Sequence, residues 1–443
     1  MTTCEALGEL IAGAPGELGD GAEHGATRAL VDWAAAVYAG AEHPAPRALA
    51  AALASEGGGP ATLLGRRRRA SERTAALVNA TAAHAIEVDD IYRDGIYHPG
   101  APTIAAAFAL AEARGLSGAA LLRAVALGYE VGCRVAAAVT PGHYRFWHTT
   151  GTVGTLGAAA AGAAALGLGA AESAHALAVA TTLAAGLQQS FRSEAMAKPL
   201  HAGHAAEAGL LAALAAAEGF TGALDVLEGP AGFAAAMCGE ADWSAVVAPL
   251  GARLAVEEVT VKNHTGCGHT FAPVDAMLAL RAEHGLVPDE VARIVVETAA
   301  TPIAVAGNLT PTTPFEAKFS IAYCAAAALA TGAVRIDAFS EERLADPVLR
   351  DLVGRTALVV SPEFDALFPH QRAARVTVQT TGRGPLTHEA RTRRGDPDDP
   401  LSDDELSAKF SELAAACLGG GAGVTLQGLW ATARAPSVAG LLS

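Results

Sequence analysis

Residues 395–418 read GDPDDPLSDDELSAKFSELAAACL, and the change of character within this stretch decides how the whole chain is organised. Its first part, GDPDDPLS, is built from turn-forming residues; from Asp403 to Leu418 the pattern is that of a helix. On the N-terminal side lies ARVTVQTTGRGPLTHEARTR, residues 374–393, an alternating run that reads as a hairpin around Gly382 and Gly384. On the C-terminal side, beyond the glycine tract at 419–423, a further helix is expected from Thr425 to Leu442.

The return to helix matters because the chain also begins as helix. From Met1 to about Ala248, Ala- and Leu-rich runs are punctuated by stops such as GAPGE, AEHPAP, SEGGGP and ARGLSG, with no alternating strand among them. The first strand signal is AVEEVTVK at 255–262, followed by DEVARIVVETA at 289–299, and helices are expected at Pro273–His284, Phe315–Thr331 and Ser340–Val353. Helical ends around a mixed middle give a mainly α fold with an α+β part. The expectation is a large all-α domain formed by both chain ends, residues 1–254 and 402–443, with an inserted α+β lid domain, residues 255–401.

Composition agrees with two cores. The 443 residues exceed what one core usually serves, and the apolar share of 51% comes from alanine, leucine and valine, aromatic residues being only 5%. A net charge of −15, with a single basic run at Arg66 to Arg69, argues against a nucleic-acid partner but leaves room for a small anionic substrate held by a few cations in a cleft. Six scattered cysteines without a CxxC pair announce neither disulfides nor a zinc or iron–sulfur site, and MTTCEALGELIAG lacks the basic start and long apolar core of a secretory signal. A cytoplasmic protein is expected. Gly151 to Gly186 holds one charged residue, Glu172. Alanine and glycine at that density indicate close-packed helices rather than a membrane span, and a surface large enough to suggest a homodimer.

Four segments carry the side chains of acid–base chemistry. HAIEVDDIYRDGIYHPG, residues 84–100, gathers four acids, two histidines and two tyrosines. His84, Glu87, Asp90 and Asp94 would line one face of a helix, but Gly95 and Pro99 end it and place His98 on a loop, so either a solvated turn or a catalytic wall fits. YRFWHTTGTVGTLGAAAAGAA, residues 144–164, sets His148 before a glycine-rich helix start able to receive a carboxylate, or is a helix cap with an incidental histidine. RSEAMAKPLHAGHAAEAG, residues 192–209, brings Lys198, His201 and His204 within seven positions; they grip an anion, or serve as a snorkelling lysine and capping histidines. The HxxH spacing there is too weak a signal to argue for metal. VKNHTGCGHTFAPVDA, residues 261–276, puts Lys262, His264, Cys267 and His269 on a loop.

These segments resemble the MmgE/PrpD family of 2-methylcitrate dehydratases, which also includes cis-aconitate decarboxylase and an iminodisuccinate epimerase. HAIEVDDIYRDGIYHPGAP is similar to its His/Asp-Asp/His-Pro block and AKPLHAGHAAEAGLLAALAAAEGFTG to its Ala-Lys-x-Leu-His-x-Gly block. HTTGTVGTLGAAAA looks like the family's His-led glycine block, KNHTGCGHTFAPVDA like its lysine–cysteine–histidine loop, and FEAKFSIAYCAAAAL like its Phe-Ser-x-x-Tyr helix. The blocks occur in the family's order and span most of the chain. The resemblance implies an all-α domain from both ends, a lid, a site between them, a homodimer and no cofactor or metal. Carried over, the site comprises Asp90, His98, His148, Lys198, Lys262, His269 and Tyr323. Glu87 stands where the family commonly has aspartate, His204 where many dehydratases carry arginine, and Cys267-Gly268 replaces a Cys-Arg pair.

The implied activity is that of a lyase on a small di- or tricarboxylate. Dehydration of a 2-methylcitrate-like hydroxy acid leads; decarboxylation of the cis-aconitate type, epimerisation of a dicarboxylate, and a non-catalytic binding protein on this fold are the alternatives. Lys198 and Lys262 are assigned to carboxylate binding, with Glu87, His201 and His204 beside them. His98 and His148 take proton transfer, Asp90 orients an imidazole, and Tyr323 donates to substrate.

Overall fold

The computed structural model describes residues 1–66, 68–192 and 195–442; Arg67 of the basic run and Ser193 and Glu194 of the lysine–histidine segment lie outside the described residues. The chain is mostly helical with small sheets, and it divides into two compact units, Met1–Val261 with Ser402–Ser443, and Lys262–Leu401.

At the centre of the first unit is the helix Thr149–Leu166, which carries no charged side chain and in which every residue from Thr149 to Ala163 is buried. It packs against the helices Gly118–Val139 and Ala197–Ala217. The approach is backbone to backbone: a Cβ on Gly128 would lie 2.7 Å from the Gly157 carbonyl oxygen, and one on Gly209 would lie 2.6 Å from Ala158 Cβ. Small residues let these helices close to a separation that longer side chains forbid, so a stretch with little side-chain chemistry forms the core. The Ala/Gly surface that suggested a second subunit is largely used inside one chain.

The C-terminal helix Asp403–Leu418 begins on a capping box, with Glu405 N donating to Ser402 Oγ (3.2 Å) and Ser402 N to Glu405 Oε2 (2.7 Å). Three acids in its first turn suit the positive end of the helix dipole. Leu406, Phe410 and Leu413 are buried, and the helix packs on Asp20–Gly40 near the other end of the chain. By length and composition, residues 403–430 form the one helical stretch among the described residues apolar enough to cross a membrane; it starts on acids, and 17% of its most apolar window is buried.

Five sequence expectations need correction. AVEEVTVK is not a strand: Ala255–Glu257 is a tight helical turn closed by Leu254 N donating to Glu257 Oε1 (2.9 Å), and Thr260 alone makes an isolated bridge, to Ile91. The segment therefore stays with the first unit up to Val261. The helical region contains a short antiparallel pair, Ala61–Leu63 with Arg68–Ala70, anchored by side chains rather than by length: Asn79 accepts from Leu64 N (3.0 Å) and Glu112 from Thr62 Oγ1 (2.6 Å). The last helix covers only Ala422–Trp430, followed by a turn at Thr432–Arg434; the tail then bonds the 116–118 turn through Gly118 N to Ala435 O and Val438 N to Leu116 O, both 2.9 Å. Two helices of the second unit are each split. Ser320 caps Ile321–Thr331 and Asp346 caps Pro347–Gly354, because a side-chain oxygen satisfies the new helix start better than continuing the old one would.

The second unit is built on a four-stranded sheet in the order Thr356–Val360, Val291–Thr298, Ala374–Thr380, Pro385–Ala390; the first pair is parallel and the others antiparallel. The hairpin at Gly382 and Gly384 joins the last two, whereas the 356–360 strand has no counterpart in the sequence reading. Ile294, Val296, Val376 and Val378 form a buried core with Met277, Leu280 and Leu329 from the helices Phe271–His284 and Ile321–Thr331.

Candidate active site

In the first unit the helix Glu72–His84 stops at the histidine that opens the acidic segment, and residues 85–99 follow as an irregular loop. The expected helical face is therefore not formed. Glu87 (φ 65°) and Ile96 (φ 46°) occupy left-handed backbone that non-glycine residues seldom adopt, and such conformations persist only where the surroundings enforce them. Those surroundings are visible. Lys409 donates to the Val88 carbonyl (2.8 Å), Tyr129 OH to Asp90 Oδ2 (2.8 Å) and Gly100 N to Asp90 Oδ1 (3.0 Å), while Tyr92 and Tyr97 bridge across the loop. Gly100 is required by contact: a Cβ there would lie 2.7 Å from the Tyr129 hydroxyl and 2.9 Å from Asp90 Oδ1.

The loop brings four imidazoles into a row. The His98 and His84 rings lie 4.9 Å apart, His84 stacks on His148 at 5.3 Å, and His148 meets His201 at 5.2 Å. Asp89 Oδ2 is 2.6 Å from His84 Nδ1 and 3.4 Å from His98 Nδ1. His98 Nδ1 also lies 2.7 Å from the Asp90 carbonyl oxygen, and His98 N donates to Thr150 Oγ1 (3.2 Å) at the start of the glycine-rich helix. His148 Nδ1 and His201 Nδ1 are 3.0 Å apart, so one ring donates and the other accepts, and the two share a single Nδ1 proton. Ser190 Oγ is 3.5 Å from His201 Nε2. Lys198 pairs with Glu87, both buried.

Burial sets the charge states here. It pushes His84 down to about 3 against the pull of Asp89, holds His148 well below the usual imidazole range with its neighbouring histidines adding to the effect, and lowers His201 to about 4, with Lys198 contributing. These three rings are neutral near pH 7. Burial also raises Asp90 to about 7, reinforced by Asp32 and opposed by its bonds from Tyr129 and Gly100.

The second unit holds a separate group. Lys262 is buried; His264 Nε2 lies 2.7 Å from Asp275 Oδ1, and Asp275 Oδ2 accepts from Arg394 N (2.9 Å). His269 is buried and held well below the usual range by burial and by Arg372 and Arg393; the latter donates to the Gly268 carbonyl (3.1 Å). Lys318 is lowered to about 8 by burial and by Lys262. Tyr323 OH donates to the Ala338 carbonyl (2.6 Å).

The chain matches the MmgE/PrpD N-terminal domain over residues 7–246 and the MmgE/PrpD C-terminal domain over residues 264–423. It belongs to the MmgE/PrpD family. Among its relatives, the cis-aconitate decarboxylase of Homo sapiens is 31% identical over 364 residues, 78% of this chain and 73% of that protein. The cis-aconitate decarboxylase-like protein oryM of Aspergillus oryzae is 27% identical over 388 residues, 81% of this chain and 79% of that protein. The cis-aconitate decarboxylase of Aspergillus terreus is 24% identical over 410 residues, 87% of this chain and 83% of that protein.

Of the residues singled out from sequence, this MmgE/PrpD lyase clusters His98, His148 and His201, and sets Glu87 against Lys198. His204 turns away, its Nε2 lying 3.0 Å from the Leu183 carbonyl oxygen. Both Asp90 carboxylate oxygens are held by Tyr129 and Gly100, and the carboxylate beside the imidazoles is that of Asp89. Asp89, Tyr129 and Lys318 escaped the sequence reading, although two of the three lie in segments already quoted, and His84 was singled out only for a helical face that does not form. Candidate ligand atoms of His84, Asp89 and His98 fall within 4.8 Å of one another, the composition of a small metal site. The Nδ1 atoms of the two histidines face carboxylate and carbonyl oxygens at hydrogen-bonding distance, while His84 Nε2 is buried with no hydrogen-bond partner among the described residues.

Proposed function

We propose that this chain is a carboxy-lyase for a small unsaturated polycarboxylate, with cis-aconitate the first substrate to test. The observation that carries the reading is the row of four imidazoles beside the Glu87–Lys198 pair, three of whose rings, His84, His148 and His201, burial holds neutral. Loss of CO2 from the saturated arm of an aconitate-like acid breaks a C–C bond whose electron pair moves across the double bond. A proton is then needed at the carbon next to the remaining terminal carboxylate. A dry site favours CO2 over the charged carboxylate, and a histidine that has first taken a proton from solvent supplies it to the carbanion, returning to the neutral imidazole. Dehydration would instead require both a base for the proton next to a carboxylate and an acid for the leaving hydroxyl. Asp90, the carboxyl raised towards neutrality, has both oxygens engaged. The names of the relatives support the same order of preference, reversing the one drawn from sequence.

In this reading Lys198 and Lys262 hold substrate carboxylates, Glu87 tempers Lys198, and His98 and His148 carry protons. His201 acts through its shared proton with His148. A homodimer, with no nucleic-acid partner and no cofactor, completes the proposal; light scattering that gave a monomer at micromolar concentration would remove the dimer. The deciding experiment is incubation with a panel of di- and tricarboxylates in deuterated water, followed by NMR and mass spectrometry. Loss of CO2 with one deuterium incorporated supports the proposal. Loss of water, or deuterium uptake without net change, replaces it with a hydro-lyase or an epimerase. Exhaustive chelation should leave turnover unchanged; loss restored by one divalent metal would point instead to the His84, Asp89 and His98 set.

A further inference from the structure

The proposed chemistry asks an imidazole to present a lone pair, or a proton, at a defined nitrogen. For His98 the backbone settles which. A carbonyl oxygen only accepts, so the hydrogen in the 2.7 Å contact between His98 Nδ1 and Asp90 O belongs to the histidine. The neutral ring then carries its proton on Nδ1 and its lone pair on Nε2. The carboxylate Oδ2 of Asp89 lies 3.4 Å from the same Nδ1, and its side chain is 2% exposed. That oxygen is also 2.6 Å from Nδ1 of His84, a fully buried ring that must likewise donate to it.

We infer that Asp89 is a positioning residue for His98, its carboxylate fixed by His84 so that positive charge arising on His98, when Nε2 takes a proton, meets an oriented buried anion. The inference rests on the reading of His98 as a proton carrier. Both neighbours of Asp89 are clamped, Val88 through its carbonyl by the distant Lys409, and Asp90 through its carboxylate by Tyr129 and by Gly100 at the end of the same segment. The anion is therefore held before reaction and needs no rearrangement during it, the condition under which a buried charge is most effective. His84 serves as the second anchor. Its ring is packed between His98 and His148, so a swing of the Asp89 side chain would break a short bond and leave a buried polar group unpaired.

The test combines kinetics with nitrogen-15 NMR of the histidine side chains in the full-length protein. In the wild type, His84 and His98 should both show a protonated Nδ1 and an unprotonated Nε2; finding the His98 proton on Nε2 overturns the inference whatever the substrate proves to be. In Asp89→Asn, kcat should fall by about 100-fold, with KM changed less than about threefold, because only the charge that answers a protonated imidazole is lost. In a His98→Gln background, the same Asp89→Asn change should cost less than about threefold, since a residue that acts through His98 has nothing left to act on. Equal losses in both backgrounds, or a near-normal kcat in Asp89→Asn, would assign Asp89 to structure alone. Should cis-aconitate fail as substrate, the kinetic arms use whichever acid the panel shows to react, and the wild-type spectrum still decides the tautomers. A failure of the decarboxylase reading is thus distinguished from a failure of this one.

Discussion

The ammonium of Lys409 lies 2.5 Å from the carboxylate of Asp32, a buried pair whose partners are 377 positions apart in sequence. The same ammonium holds the Val88 carbonyl at 2.8 Å. One side chain of the C-terminal helix therefore ties the end of the chain to its beginning and to the loop that carries Asp89. Replacing Lys409 with methionine leaves Asp32 buried without this cation, a situation that costs about 3–5 kcal/mol. The urea midpoint should fall accordingly. Lys409→Met combined with Asp32→Leu should recover part of the loss, and a double variant no better than the single would deny that the pair acts as a unit.

Lys198→Met and Lys262→Met each remove a cation while keeping most of the stem. A lost charge-assisted contact of roughly 1.5–3 kcal/mol should reduce kcat/KM at least tenfold, mainly through KM. For Lys198 the partner Glu87 is left with a buried charge, so Lys198→Met with Glu87→Gln should be better folded than Lys198→Met alone. Unchanged kcat/KM in either single lysine variant would remove that lysine from substrate binding.

His98→Gln keeps a side chain able to hydrogen-bond but removes the group that changes protonation. A loss of about 100-fold or more in kcat is expected, with substrate still binding in a calorimeter. Near-normal kcat would make the 84–100 segment a buried structural loop and not a catalytic wall.

Stability should depend on pH in a direction set by burial. His84 at about 3, and His201 and the buried His143 of the turn His143–Arg145 at about 4, are lowered by burial from the ordinary 6.5, so the unfolded chain binds more protons than the folded one as pH drops. Their contribution is intact above about 6.5 and is lost progressively as pH falls towards 4 and 3. Asp90 runs the other way: raised from 3.8 to about 7, it binds its proton more tightly when folded and costs stability as pH rises across that interval. Three histidines outweigh one carboxyl. Urea midpoints should rise from pH 4.5 to 6.5 and then level or decline slightly towards pH 7.5. A flat profile between 5 and 6.5 would mean that the rings are not buried neutral.

Local signals carried much of this fold. The boundaries of Asp403–Leu418 follow from its turn-forming lead-in and its helical pattern, and the hairpin at Gly382 and Gly384 follows from alternation around a flexible turn. Such features depend on residues within a few positions of one another, and the family blocks could be read for the same reason. Valine and threonine alternating in AVEEVTVK looked equally local. There, however, Glu257 folds back to cap its own turn, and among the described residues the segment pairs only through the isolated bridge of Thr260 to Ile91.

The 84–100 segment could be picked out from sequence as chemically unusual, but not which of its acids does what. Asp89 and Asp90 are adjacent and chemically identical. In an irregular loop no period assigns them to faces; the directions of their side chains are imposed by Lys409, Tyr129 and Gly100, and by a backbone at Glu87 forced into φ 65°. His201 and His204 sit on a regular helix, yet one meets His148 and the other a carbonyl at Leu183, because the neighbours on each face come from different parts of the chain. Composition and short-range pattern therefore determined that this protein has helical ends, a mixed middle and a histidine- and acid-rich segment. Only the tertiary structure decided that Asp89 stands between His84 and His98, since contacts between residues far apart in sequence set that geometry.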